Sequence, residues 1–197
     1  MAKTRKTKRA SARTGRTARA ATKAKRTAKP AVKRPAAQMG AEAALREQLV
    51  DLLRGGHAHA TYEDVVANLP ADLRGRRPNG APYSPWMILE HIRIAFWDIL
   101  EFSRNPSHVS PEFPKEYWPT DPVPPNPDAW TDSVARYARD REAFERLVRD
   151  PASDLFTPFA HGTGQNLVRE VLVAATHTSY HLGELVVLRR LLGAWPG

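Results

Sequence analysis

"VREVLVAATHTSYHLGELVVLRRLL", residues 168–192, has no proline, a single glycine, and valine, leucine and alanine at helical spacing on nearly every side. A helix that is apolar almost all round belongs in a core, so other helices must surround it. Two imidazoles and a carboxylate interrupt it. Residues four apart in a helix project only about 40° apart, so His177 and His181 share one strip a turn apart, with Glu184 close to the same direction. That strip is expected to face the inside of a bundle. Neutral imidazole suits Zn, Ni, Fe or Cu, and a pair at i, i+4 lets one helix supply two ligands; ordinary core histidines show the same spacing.

The surrounding helices are legible from their ends. "SPWMILEHIRIAFWDILEFSRN", residues 84–105, opens with Ser84 as N-cap and Pro85 in the first turn, and stops before Pro106. Its Trp86, Met87, Ile88, Ile92, Ile94, Ala95, Phe96, Ile99 and Leu100 cover more than one face, so it too is enclosed. His91 lies on the strip of Met87, Ile94 and Ala95, with Asp98 one repeat further on. It is the outstanding candidate for a third ligand, and a core histidine satisfied by one hydrogen bond explains it as well. "AEAALREQLVDLLRGG", residues 41–56, places Leu45, Leu49, Leu52 and Leu53 on one face and ends at Gly55-Gly56. Thr61 with Asp64 three residues on opens a short segment to Leu69; residues 71–83 read as a loop. Asn126-Pro127 is expected to cap a helix to about Arg149, striped by Trp130, Val134, Tyr137, Phe144 and Val148. Residues 106–126, "PSHVSPEFPKEYWPTDPVPPN", are too broken for a helix and read as a lid-like crossover, with Tyr117 and Trp118 to hold it on the bundle. Four main helices with one long crossover predict an all-α four-helix bundle over residues 41–197.

The net charge of +9 is not spread evenly. Residues 1–40 hold fourteen Lys or Arg and no acid, which leaves 16 basic against 21 acidic residues, or −5, after position 40. The first forty residues have almost no large apolar side chain and are expected to be a disordered domain of their own. Lys3, Arg5, Lys6, Lys8, Arg9, Lys23, Lys25, Arg26, Lys33 and Arg34 suit phosphate backbones without base readout. The texture of "TAKPAVKRPAA" resembles the tails of linker histones and histone-like bacterial proteins. Met39 is an alternative start that would leave the acidic domain alone. There is no cysteine, so a metal must be held by His, Asp or Glu and any thiol must come from outside. No run reaches the roughly 18 uninterrupted apolar residues of a membrane span, and the charged opening lacks the apolar segment of a secretory signal. An organellar transit peptide is also Arg-rich and acid-free, but a lysine-heavy stretch without an apolar face argues against it. A cytoplasmic protein, nucleoid-associated if the tail holds DNA, is the expectation.

The Trp86-x-x-x-Glu90-His91 helix, and the run His177-x-x-x-His181-Leu182-Gly183 followed by Leu188-Arg189-Arg190-x-Leu192-Gly193, resemble the DinB-like superfamily. That group also contains the YfiT-type metal-dependent hydrolases and several thiol-dependent transferases. The resemblance covers roughly residues 41–195 and implies an up-down-down-up bundle with a divalent metal on three histidines, one from the second main helix and two from the last. Carried across, these are His91, His177 and His181. Relatives often have glutamine where this chain has Glu184, which leaves direct ligation by the carboxylate open beside its reading as an acceptor orienting an imidazole N–H.

Three neutral histidines leave a coordination position for water or substrate. Zn leads the candidate ions, with Ni, Fe or Mn behind it; such an ion polarises an oxygen or lowers the pKa of a bound water toward about 7. The resemblance also implies a low-molecular-weight thiol as cosubstrate, an unidentified small-molecule substrate, and a homodimer. The competing reading is a nucleic-acid-associated protein whose tail binds DNA and whose bundle dimerises or senses. Acid–base candidates are sparse. His161, in the "FAHGTGQ" entry to the last helix, is a candidate catalytic group or a solvated loop histidine. Asp98 and Glu170 share strips with the ligands, Asp98 as a support for them, although ion pairs with arginine explain either. Arg189 and Arg190 read as caps for their helix end. His57, His59 and His108 carry no distinguishing spacing.

Overall fold

The structure, a computed structural model, describes residues 36–196. The basic positions from Lys3 to Arg34, and with them the expectations of a disordered, polyanion-binding tail, lie outside the described residues. The described residues form five α-helices and no strand: α1 (Ala36–Arg54), the short α2 (Tyr62–Val66), α3 (Pro85–Arg104), α4 (Ala129–Arg149) and α5 (Leu167–Leu191).

Each end has a chemical cause. Ser84 Oγ accepts the Met87 N–H, Asn166 Oδ1 accepts the Arg169 N–H, and Thr61 and Asp64 exchange the reciprocal bonds of a capping box. After α1 the chain turns through Gly55 and Gly56 at φ 71° and 84°, a region costly to any residue with a Cβ. One cap differs from expectation. Asn126 makes an Asx turn by accepting the Asp128 N–H, and α4 starts only at Ala129, because Pro127 lies in that turn rather than in the helix.

Contacts between the helices give the topology. Arg46 meets Val148 while Arg54 meets Glu145, so α1 and α4 are antiparallel. Glu90 faces Ser133 and Phe96 packs on Phe144, so α3 and α4 are parallel. His91 meets His177 and His181, whereas the Phe102 carbonyl meets His161 just before α5, so α3 and α5 are antiparallel. The order is up, down, down, up. Phe96, Phe144, Tyr137, Ile92, Leu100, Leu185 and Val50 fill the centre with under 2% exposure each. Two buried arginines tie the corners: Arg46 donates to the carbonyls of Val148 in the last turn of α4 and of Asp150 and Ser153 beyond it, and Arg189 donates to those of Val65, Ala67 and Ala194. Arg189 thus does more than cap its own helix; it holds α2 to α5.

The last helix is less enclosed than its composition suggests. Leu172, Tyr180, Val187 and Leu191 lie on one uncovered side, 45–65% exposed. By length and mean hydropathy α5 is long and apolar enough to cross a membrane, as core helices can be, although it holds no uninterrupted apolar run of that length. Its other faces, with Arg189 and Glu170, are packed into the bundle.

Candidate metal centre

The antiparallel pairing of α3 and α5 sets His91 opposite His177 and His181. His91 Nε2 stands 3.1 Å from His181 Nε2 and 3.1 Å from His177 Nε2. One ring nitrogen from each of the three lies within 4.8 Å of those of the other two. His91 and His181 are buried and His177 half-buried.

The outer ring nitrogens decide what these contacts mean. His91 Nδ1 is 2.9 Å from the Tyr117 carbonyl, and a carbonyl only accepts, so Nδ1 carries the proton and Nε2 presents a lone pair. His181 Nδ1 likewise donates to Glu184 Oε2 at 2.7 Å. Two lone pairs therefore face each other with no proton between them. Protonating the cluster is opposed as well: burial, reinforced by the charge His181 would carry, depresses His91 to about 4, and burial with the two neighbouring imidazoles does the same for His177. A cation resolves the repulsion. Two imidazole nitrogens bound about 2.0–2.1 Å from one ion stand about 2.8–3.0 Å apart at cis octahedral positions and about 3.3–3.4 Å apart in a tetrahedron, and both separations here, 3.1 Å, lie between. The donor set fits a borderline transition metal.

A family model, that of the DinB superfamily, matches residues 56–185, a span that holds all three imidazoles and the carboxylate behind them. The chain belongs to the DinB superfamily. No curated protein and no solved structure matches it.

In this DinB-superfamily chain the proline-rich crossover is part of the site. Trp118 stacks on His91 with ring centroids 3.7 Å apart and on Tyr83 at 4.0 Å, so His91 is the last ring of a three-ring pile. Tyr117 fixes the strap twice, its carbonyl on His91 and its hydroxyl donating to Asp98 Oδ2 at 2.6 Å. Asp98 Oδ1 faces His108 Nε2 at 2.8 Å. The expected support of the imidazoles by Asp98 is thus corrected: it touches none of them and holds the strap whose backbone holds His91. Tyr117 and Trp118 were legible as anchors, but nothing in the spacing marked a backbone carbonyl as the partner of His91 or His108 as the partner of Asp98. Replacing Tyr117 by Phe should cost about 1–3 kcal/mol in chemical denaturation, since Asp98 stays buried with one partner fewer. An unchanged midpoint would show that the strap is not anchored there.

The remaining candidates disperse. His161 is exposed, gives its Nε2 to the Phe102 carbonyl and stacks on Phe159. Phe102 lies eleven residues along α3 from His91, roughly 16 Å away, so His161 is an anchor at the other end of the bundle and not a catalytic group of this site. Glu170 is buried against Arg169, the ion-pair alternative. Glu184 does not point at the common centre of the Nε2 atoms, because its Oε2 sits behind His181 on Nδ1. His177 Nδ1 is buried without a hydrogen-bond partner among the described residues, so none of them sets its tautomer.

Proposed function

We propose that the chain is a metal-dependent enzyme acting on a small molecule, either as a hydrolase or as a transferase that uses a low-molecular-weight thiol. The observation that carries this reading is the convergence of three imidazole Nε2 atoms, two of them fixed as lone-pair donors by the groups behind them. Zn is the ion of first choice, with Ni, Fe or Mn as the alternatives. His91, His177 and His181 would hold a divalent ion, which would supply Lewis acidity to a bound substrate. The chain's own residues supply the rest. The Tyr117 carbonyl and Trp118 fix the plane of His91, and Glu184 keeps the His181 proton on Nδ1. Half-buried His177 and exposed Tyr180, whose ring meets His181 edge-on, mark the side from which a substrate approaches. Because there is no cysteine, a sulfur nucleophile arrives with the cosubstrate.

The test is elemental mass spectrometry of the full chain purified without a histidine tag, followed by a screen of ester, amide and thiol-acceptor substrates. About one transition metal per chain is expected; none after incubation with Zn, Ni and Fe would end the proposal. Glu184→Ala should weaken the metal about 10–100-fold in chelator competition, while Glu184→Gln loses less because its amide oxygen still accepts the His181 N–H. Equal affinity in all three proteins would remove Glu184 from the site.

A second reading rests on the fourteen Lys or Arg and no acid in residues 1–40. We propose that this tail binds nucleic acid non-specifically in the cytoplasm, independently of the bundle. Removing residues 1–34, which leaves α1 whole, is expected to abolish salt-sensitive retention on DNA and leave the metal content unchanged. Retention that survives the deletion would place DNA affinity elsewhere.

A further inference from the structure

A groove of about 770 Å³ lies between α3, α4 and the strap, on ground that the metal centre does not use. Ile94 and Trp97 of α3 and Pro111 of the strap make its apolar wall, and Arg136 and Arg139 stand beside them, three residues apart on α4 and so on one face. The other charged groups at the groove are occupied. Arg93 gives two hydrogen bonds to Glu90, at 2.9 and 2.7 Å, and Glu116 Oε2 accepts the Glu112 N–H at 2.6 Å. Half-buried Asp140 lies in the field of Arg93 first, then of Arg104 and Arg139. Arg136 and Arg139 are both exposed, and although Arg136 lies in the field of Glu90 and Arg139 in that of Asp140, neither forms a salt bridge within 4 Å among the described residues, unlike Arg141, Arg146 and Arg149 of the same helix. The chain beyond residue 40 carries −5, so two exposed arginines on one face beside an apolar wall run against its net charge.

We propose that this groove binds a small organic anion, a carboxylate or sulfonate on a flat apolar body, with the body against Trp97 and Ile94 and the anion between Arg136 and Arg139. Guanidinium groups match the planar, multi-oxygen geometry of such anions. The volume falls within the roughly 300–1,000 Å³ of small-molecule pockets, which favours a compact ligand over an acidic peptide.

The probe is 8-anilinonaphthalene-1-sulfonate, titrated by fluorescence into the full chain at low salt. One saturable site is expected, weakened about tenfold or more in the double variant Arg136→Gln, Arg139→Gln, whose metal content stays that of the parent. A second double variant, Val187→Ser with Leu191→Ser, alters the separate apolar cavity of about 540 Å³ beside α5 and should bind the probe as the parent does. The basic tail is common to all three proteins and cancels in the comparison, and both arginines are exposed, so circular dichroism should report an unchanged fold. Equal affinity in parent and arginine variant, or a loss that follows Val187 and Leu191 instead, overturns the proposal.

Discussion

His177→Ala is expected to purify without metal while remaining folded. Two of the three imidazoles would still converge, but losing a ligand must cost more than the roughly 10–100-fold that follows loss of an outer partner. The fold should survive because His177 is half-buried and its Nδ1 has no partner among the described residues to abandon. With metal the two proteins part: an ion at 1,000 times its Kd stabilises the parent by about 4 kcal/mol and the variant by next to nothing. Melting curves with and without chelator, beside elemental analysis, separate these contributions. A variant that keeps the parent's metal would place the ion away from the Nε2 cluster. A parent that melts at the same temperature with and without chelator would reduce the histidines to core residues.

How much of this was legible in the sequence depended on whether the information was local. Ser84, Thr61 and Gly55-Gly56 act within one turn of their own position, so helix ends are written in short stretches. The pairing of His177 with His181 follows from helical pitch alone. His91 joins them only because α3 and α5 run antiparallel in a particular register, which apolar periodicity does not specify; the resemblance to other DinB-like chains supplied that link. Tyr117 and Trp118 were legible as anchors of the strap, but the hydrogen bond to His91 was out of reach for a different reason. The strap's grip on His91 is a backbone carbonyl, and any residue at position 117 offers one. His161 misled because a loop histidine near a helix start says nothing about which end of the bundle holds the site. The uncovered side of α5 was hidden by composition, since valine and leucine read alike whether a neighbouring helix covers them or not.

Acidification should destabilise the metal-free protein from about pH 6.5 down to about pH 4, and the two central histidines set the sign. In the unfolded chain their pKa is near 6.5; in the fold, burial first and then the neighbouring imidazoles hold His91 and His177 at about 4. Between those values the unfolded state binds more protons, so stability falls as pH falls, and below about 4 their contribution is fully lost and no longer changes. Other groups move the background. Glu90 and Glu145, where arginine pairing outweighs burial, weaken the fold only at lower pH, while burial raises Asp140 and Glu170 and makes them oppose the trend. Comparison with His177→Ala cancels all four, because they are present in both proteins. Denaturation midpoints from pH 7 to pH 4 in chelator should therefore fall less steeply in the variant. Parallel curves would mean that His177 is not held neutral by its surroundings. With metal present the parent should behave differently again: a coordinated imidazole takes up no proton, so its stability keeps falling below about pH 4 until the ion leaves, and that continued slope is the signature of ligation.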